Sequence, residues 1–213
     1  MGPLGVFGGT FDPVHYGHLR SAMEALQVLA LEQLLLLPAA TPPHRPPPLA
    51  SAAQRLHMLH LALTEFPRLG VDERELHRAG PSYSVLTLES LRAERSDQPL
   101  CLLMGMDAFL GFETWHRWQD IPGLAHLVVL ARPGWDQDRL PDWARVRRTA
   151  APADLAGCPA GHVFFLPVAP QDISATRLRA ALARGESVRG QLPEAVREFI
   201  CQNRLYSHRI QRA

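Results

Sequence analysis

The sequence predicts an α/β protein, doubly wound, with a mainly parallel sheet covered by helices on both faces. Three observations predict it. Short, uniformly apolar runs such as "QLLLLP" and "PLCLLMG" alternate with longer stretches of three- and four-residue period, the pattern of buried strands joined by covering helices. Polar stretches marked by glycine or proline follow the apolar runs, where such sheets keep their ligand loops. The chain has 213 residues, 46% hydrophobic and 20% charged, enough to bury one full core, so 1–213 is expected to be a single domain.

Each element has its own justification. Leu4 to Phe7 is the first strand. Leu19, Met23, Leu26, Ala30 and Leu31 recur at helical steps, so an amphipathic helix is expected from Gly17 to about Gln33. Gln33 to Pro38 is too short and too uniformly apolar for a surface helix and reads as the second strand. "AATPPHRPPPLAS" cannot be regular, because its five prolines remove donors and hold the chain extended. Ser51 caps a helix whose apolar face is Leu56, Leu59, Leu63 and Phe66, ended by Pro67. "RLGVDE" is a short third strand. Ser82 or Ser84 caps a helix through Leu86, Leu88 and Leu91. Pro99 to Gly105 is the clearest buried strand after the first, and it runs into Asp107. "AHLVVLARPG" is the fifth, ending at Arg132. Residues 134–161, polar and weakly periodic, are expected to form a surface excursion. "HVFFLPV" is the last strand, and "QDISATRLRAALARGE" a capped helix ended at Gly185. Pro193 opens a short terminal helix within a C-terminal helical segment, 186–213. No internal repeat is visible.

Composition excludes several classes. A net charge of +1 supplies no broad field for nucleic acid or an anionic membrane, so neither is expected as a partner. All 22 basic residues are arginine. That rules out a lysine-bearing phosphate loop, a Schiff-base lysine and a lysyl-nucleotide intermediate. Cys101, Cys158 and Cys201 are far apart, odd in number and in no metal spacing, which fits a reduced setting. The N-terminus lacks a basic-then-apolar signal, and no apolar run approaches the roughly 20 residues of a spanning helix. A cytoplasmic protein is expected.

The opening stretch, "GVFGGTFDPVHYGH", crowds paired glycines, a carboxylate and two histidines at the end of the first strand. Gly8 and Gly9 permit close ligand approach, after which the amides of Thr10 and Phe11 can face a phosphate. His15 and His18 stand three apart at a helix start, where amides and the dipole favour anions. Two imidazoles there can donate to phosphate oxygens. The same pair is also read as a metal site with Asp12, or as merely structural histidines. At the other end, Ser174, Thr176 and Arg179 offer hydroxyls and a guanidinium at a second helix start, although Ser174 is equally an ordinary cap. Arg177 and Arg179 point to different faces of that helix. Parallel-sheet topology would gather these stretches with "PPHR", "GMD" and "ARPG" beyond the strands' carboxyl ends.

These residues resemble a known family. "GGTFDPVHYGH" is similar to the G-x-F-D-P-x-H-x-G-H signature of the nucleotidylyltransferase superfamily, and "ISATRLR" to its I-S-x-T-x-x-R motif. "TPPHR", "PSYSVLTLESLR", "GMDAFLGFETWHRW" and "ARPG" resemble the bacterial nicotinate-mononucleotide adenylyltransferases. The resemblance covers nearly the whole chain and implies a Rossmann-like fold. It implies an enzyme that joins ATP, with Mg²⁺, to nicotinate mononucleotide, releasing pyrophosphate and forming nicotinate adenine dinucleotide. It also implies residue roles. His15 and His18 would be catalytic, stabilising the transferring phosphoryl group. Gly8, Gly9, Thr10, Phe11, His44, Arg45, Asp107, Ser174, Thr176 and Arg179 would bind ATP, with Asp107 on a ribose. Ser84, Val85, Trp115, His116 and Arg132 would bind the mononucleotide, Trp115 against the pyridine ring; core packing is the competing reading of Trp115. No protein-held metal site is implied, since Mg²⁺ would be met mainly by substrate phosphates.

Three positions depart from the family pattern. Ser84 stands where threonine is frequent, His116 where tyrosine often follows the tryptophan, and Ala175 where serine is frequent. His116 puts the preference between acid and amide mononucleotides in question. Related enzymes taking nicotinamide mononucleotide or phosphopantetheine remain alternatives, as do a regulator without catalysis and a histidine-based metal-binding protein. Oligomeric state is not legible.

Overall fold

The computed structural model describes residues 1–41, 47–131, 140–169 and 172–207. Among these, seven strands form one sheet: β1 (Leu4–Gly9), β2 (Gln33–Pro38), β3 (Leu69–Val71), β4 (Leu100–Gly105), β5 (His126–Ala131), β6 (Arg148–Thr149) and β7 (Val163–Pro167). Their order is β3-β2-β1-β4-β5-β7-β6, and every pairing is parallel. The chain builds outward from β1 to β3 and then lays β4 on the other side of β1. Strand order therefore reverses between β1 and β4, and the crevice beyond their carboxyl ends is the topological place for a ligand. The fold is the Rossmann-like α/β architecture.

Two cores explain why the strands read as unbroken apolar runs. Phe7, Leu34, Leu36, Leu103, Val128 and Phe164 face one cluster. Leu4, Val6, Leu35, Leu102, Val129 and Val163 face the other. Alternate residues point to opposite sides of a strand, so a sheet covered twice needs apolar side chains at both parities. The first face is covered by α1 (Tyr16–Val28), α2 (Ala52–Leu63), α7 (Ala175–Ala183) and α8 (Glu194–Gln202). The second is covered by α3 (Ser84–Glu94), α4 (Met106–Leu110), α5 (Ile121–Leu124) and α6 (Asp142–Arg145).

Several boundaries differ from the sequence expectation, each for a local reason. β1 includes Gly8 and Gly9, which pair with Leu37 and Pro38. α1 stops at Val28 instead of running to Gln33. Ala30 takes a left-handed φ of 47°, and reversed bonds from Leu31 N–H to the Leu26 carbonyl and from Ala30 N–H to that of Gln27 close the helix. Alanine in the position glycine usually fills left no mark in the sequence. α2 begins on Ser51 as expected, in a reciprocal cap with Gln54, but ends at Leu63. Its buried face is Arg55, Met58, Leu59, Ala62 and Leu63, with Leu56 only half-buried. Neither Ser82 nor Ser84 caps α3, whose capping residue is Tyr83. Ser82 Oγ instead accepts from Ala40 N–H at 2.9 Å. Part of the expected surface excursion joins the fold: β6 pairs with β7 at the sheet edge, and Leu140, Ala144 and Leu155 are buried. No helix among the described residues is long and apolar enough to cross a membrane.

Candidate active site

The loop after β1 is shaped by aromatic rings. Phe11 adopts a left-handed φ of 48° and turns its ring inward. A Cβ on Gly9 would lie 2.8 Å from that ring, so the second glycine is required by Phe11 rather than by its own backbone angles. A Cβ on Gly8 would meet nothing within 4 Å, and this position faces open space. Asp107 lies nearby in topology: it is exposed in the first turn of α4, directly after β4, the neighbour of β1.

His15 and His18 form the centre. His15 is the capping residue of α1 but makes no side-chain cap, and no acidic residue occupies the first turn. Tyr16 N–H donates to the Gln191 carbonyl at 3.0 Å and His18 N–H to that of His15 at 2.9 Å, so what stands at this helix start without a side-chain cap is chiefly the two imidazoles. The two rings stack with centroids 3.7 Å apart at 23°. The His18 ring meets the edge of Phe11 at 5.0 Å and packs near Phe7 at 6.3 Å. Burial pushes the His15 imidazole down to about 4, opposed weakly by a backbone hydrogen bond. His15 is therefore neutral at neutral pH, an imidazole that can donate or accept rather than a fixed charge. Gly17 is required between them: a Cβ there would stand 2.9 Å from His15 Nδ1 and 3.4 Å from the Ile173 carbonyl oxygen. That second distance also places the start of α7 against the start of α1.

Ser174 caps α7, its hydroxyl accepting from Arg177 N–H at 3.3 Å. The two arginines diverge as the helical period predicts. Arg177 pairs with the exposed Asp172. Arg179 turns toward β1's loop and donates to the Asp12 carbonyl at 2.7 Å and to Thr176 Oγ1 at 3.4 Å. Asp12 is buried, and its carboxylate accepts from Leu49 and Ala50 N–H and from the Tyr206 hydroxyl. Arg55, 1% exposed, donates to the Thr10 carbonyl at 2.8 Å. Burial lowers the pKa of its guanidinium, while the charge of Asp12 opposes the shift.

The other predicted group gathers on the opposite face. Val85 is fully buried, Ser84 is half-buried beside it in the first turn of α3, and Trp115 packs half-buried against the same core. His116 stacks on Tyr83 with centroids 4.3 Å apart at 24°, joining "PSYS" to "ETWH". Ser82 N–H donates to the Thr41 carbonyl, tying this segment to the chain leaving β2. His44, Arg45 and Arg132 lie outside the described residues. Reading the sequence missed Arg55 and Tyr206 and weighed Asp12 only as a metal ligand. Arg55 falls on the buried stripe of α2, where arginine is rarely found. Tyr206 lies beyond the last helix and carries no signal.

Residues 6–181 match the model of the cytidylyltransferase-like family. A protein of Methylococcus capsulatus, named as a probable nicotinate-nucleotide adenylyltransferase, is 47% identical over 208 residues, covering 96% of this chain and 99% of that one. The chain belongs to this family. A likewise named protein of Pseudomonas aeruginosa is 49% identical over 207 residues, covering 95% of this chain and 96% of its own. Among solved structures, the Plasmodium falciparum nicotinic acid mononucleotide adenylyltransferase complexed with NaAD superposes with a TM-score of 0.73 at 11% identity. The match covers 97% of this chain and 98% of that one. At that identity the likeness concerns the fold. The nicotinate-nucleotide adenylyltransferase relatives span the chain nearly end to end, so both histidines and the start of α7 belong to one family unit.

Proposed function

We propose that the chain transfers the adenylyl group of ATP to nicotinate mononucleotide, giving nicotinate adenine dinucleotide and pyrophosphate. The observation that carries this reading is the stacked His15–His18 pair, set at an uncapped helix start against the start of α7. The names of the full-length relatives agree with it. A phosphate oxygen of the mononucleotide attacks the α-phosphorus, and the bond from that phosphorus to the β-phosphate's bridging oxygen breaks. The nucleophile is already anionic at neutral pH, so no general base is needed. The protein's task is alignment and neutralisation of developing charge.

In this reading His18, held between His15 and Phe11, donates to the transferring phosphoryl group, and neutral His15 donates beside it. The amides of Thr10 and Phe11, the start of α7 with Ser174 and Thr176, and Arg179 receive the triphosphate, together with His44 and Arg45. Asp107 takes a ribose. The nicotinate ring lies on Trp115, with its carboxylate at Ser84, Val85 and His116, and Arg132 completes the acceptor side. Mg²⁺ arrives with ATP. Phosphate oxygens would be its chief ligands in this reading. The reaction is placed in the cytoplasm, where thiols such as the free Cys101, Cys158 and Cys201 stay reduced.

Pyrophosphate release against a panel of acceptors tests this. Nicotinate mononucleotide is expected to give the highest kcat/KM, nicotinamide mononucleotide a lower one, and phosphopantetheine none. Release driven best by phosphopantetheine overturns the acceptor, and no release with any of the three overturns the reaction.

A further inference from the structure

The end of the described chain reaches back to the site. α8 closes on reversed bonds from Leu205 N–H to the Ile200 carbonyl at 3.0 Å and from Arg204 N–H to that of Cys201 at 3.2 Å. Arg204 takes φ 50° and Tyr206 φ 63°, an uncommon state for a bulky residue. These turns lay the Tyr206 ring against the first core. Its hydroxyl donates to Asp12 Oδ1 at 2.6 Å, across 194 positions of sequence. Burial and the Asp12 carboxylate push the Tyr206 pKa up, so the phenol keeps its proton and remains a donor.

Asp12 is a joint rather than a lone partner. Oδ1 also accepts from Ala50 N–H at 3.1 Å, and Oδ2 accepts from Leu49 N–H at 2.9 Å. The main-chain carbonyl of the same residue accepts from Arg179, and the carbonyl two residues earlier accepts from Arg55. One residue and its neighbours thus fasten the loop after β1, the chain entering α2, the first turns of α7 and the tail. A hydroxyl donated to a buried carboxylate is among the stronger hydrogen bonds a protein makes.

We propose that Tyr206 is a positioning residue for the ATP side of the reaction, its hydroxyl fixing Asp12 and through it the Thr10–Phe11 loop against Arg179. The inference rests on the adenylyl-transfer reading above. It also predicts selectivity. Arg55 and Arg179 reach the Asp12 loop from α2 and α7, helices that cover the first face of the sheet, while Val85 and Trp115 belong to the second. Loosening the joint therefore disturbs ATP and spares the mononucleotide.

Tyr206→Phe keeps the ring and removes only the hydroxyl. Its KM for ATP is expected to rise about tenfold, the effect of one strong hydrogen bond, with the KM for nicotinate mononucleotide within about twofold of wild type. Introduced into an Arg179→Lys background, the same change is expected to add less than it does alone, because both act on one loop. A lower melting temperature with both KM values unchanged would make Tyr206 a tail anchor only and overturn the inference. Equal rises for both substrates, or full additivity with Arg179→Lys, would overturn it too. Should Tyr206→Phe fail to fold, Arg55→Lys keeps the buried cation while moving the donor off the Thr10 carbonyl, and it must show the same ATP-only change. Wild-type turnover is the control: its absence overturns the adenylyl-transfer reading, whereas an active wild type with an indifferent Tyr206→Phe overturns this inference alone.

Discussion

Replacing His18 with alanine lowers kcat about 100- to 1000-fold, the usual consequence of removing one preorganised donor to a charge that develops in the transition state. In the proposed adenylyl transfer His18 is such a donor. Its ring is stacked on His15 and set edgewise against Phe11, so it is held in place and needs little reorganisation in that role. Binding should suffer much less, because the same reading assigns the rest of the triphosphate to the α7 start and Arg179. The KM values for both substrates are expected to stay within about fivefold of wild type, the signature of an interaction made chiefly in the transition state. Steady-state kinetics of His18→Ala decide this. A kcat within about threefold of wild type, or a loss confined to KM, would remove His18 from the chemistry.

The second large effect concerns stability. Asp12→Ala deletes the acceptor for Leu49 N–H, Ala50 N–H and the Tyr206 hydroxyl, breaks the pairing of its carboxylate with Arg179 Nη1 at 4.0 Å, and removes a countercharge acting on the buried Arg55. Breaking a buried charge pair by removing one partner costs about 3–5 kcal/mol, because the surviving charge stays desolvated. For a chain of this length each kcal/mol moves the melting temperature by about 2–4 °C, so a fall of about 6–20 °C is expected. Removing both partners, as Asp12→Ala with Arg55→Met, should recover part of the loss, since the uncompensated charge goes as well. Calorimetry of the single and double variants checks it. A single variant within about 2 °C of wild type would mean the joint contributes little.

The architecture was legible because the sheet is parallel and covered twice. Uniform runs such as Gln33–Pro38 and Leu100–Gly105 can only be strands of that kind, and the strand ends then select the crevice without any side-chain information. The capping residues were legible where a side chain caps, as at Ser51 and Ser174, and Pro193 marked the start of α8 without one, whereas at Tyr83 neither a capping side chain nor a proline gave the position away. Helix ends followed the same rule. Gly185, at φ 74°, marks the end of α7 openly, whereas Ala30 and Arg204 adopt the equivalent conformation with no compositional trace. β6 was missed because a two-residue edge strand is too short to show alternation.

The site divides along similar lines. The glycines and histidines of the opening stretch are close in sequence, so their convergence needed only a strand and a turn. The reason for Gly17 became visible only with coordinates, since it depends on where the His15 ring and the Ile173 carbonyl stand. The Asp12 joint was wholly hidden. Its partners come from α2, α7 and a tail beyond the last helix, and although Arg179 was singled out for a phosphate, nothing local ties it, Arg55 or Tyr206 to this loop.

The claim on which the rest depends is that the starts of α1 and α7 form one triphosphate site with the imidazole pair at its inner end. A crystal structure with a non-hydrolysable ATP analogue and Mg²⁺ tests it most directly. The account predicts the α-phosphate oxygens within hydrogen-bond distance, about 2.7–3.2 Å, of the His18 ring, and the outer phosphates along the first turn of α7 near Ser174, Thr176 and Arg179. A triphosphate bound away from either histidine, or turned from α7 toward another strand end, would contradict it.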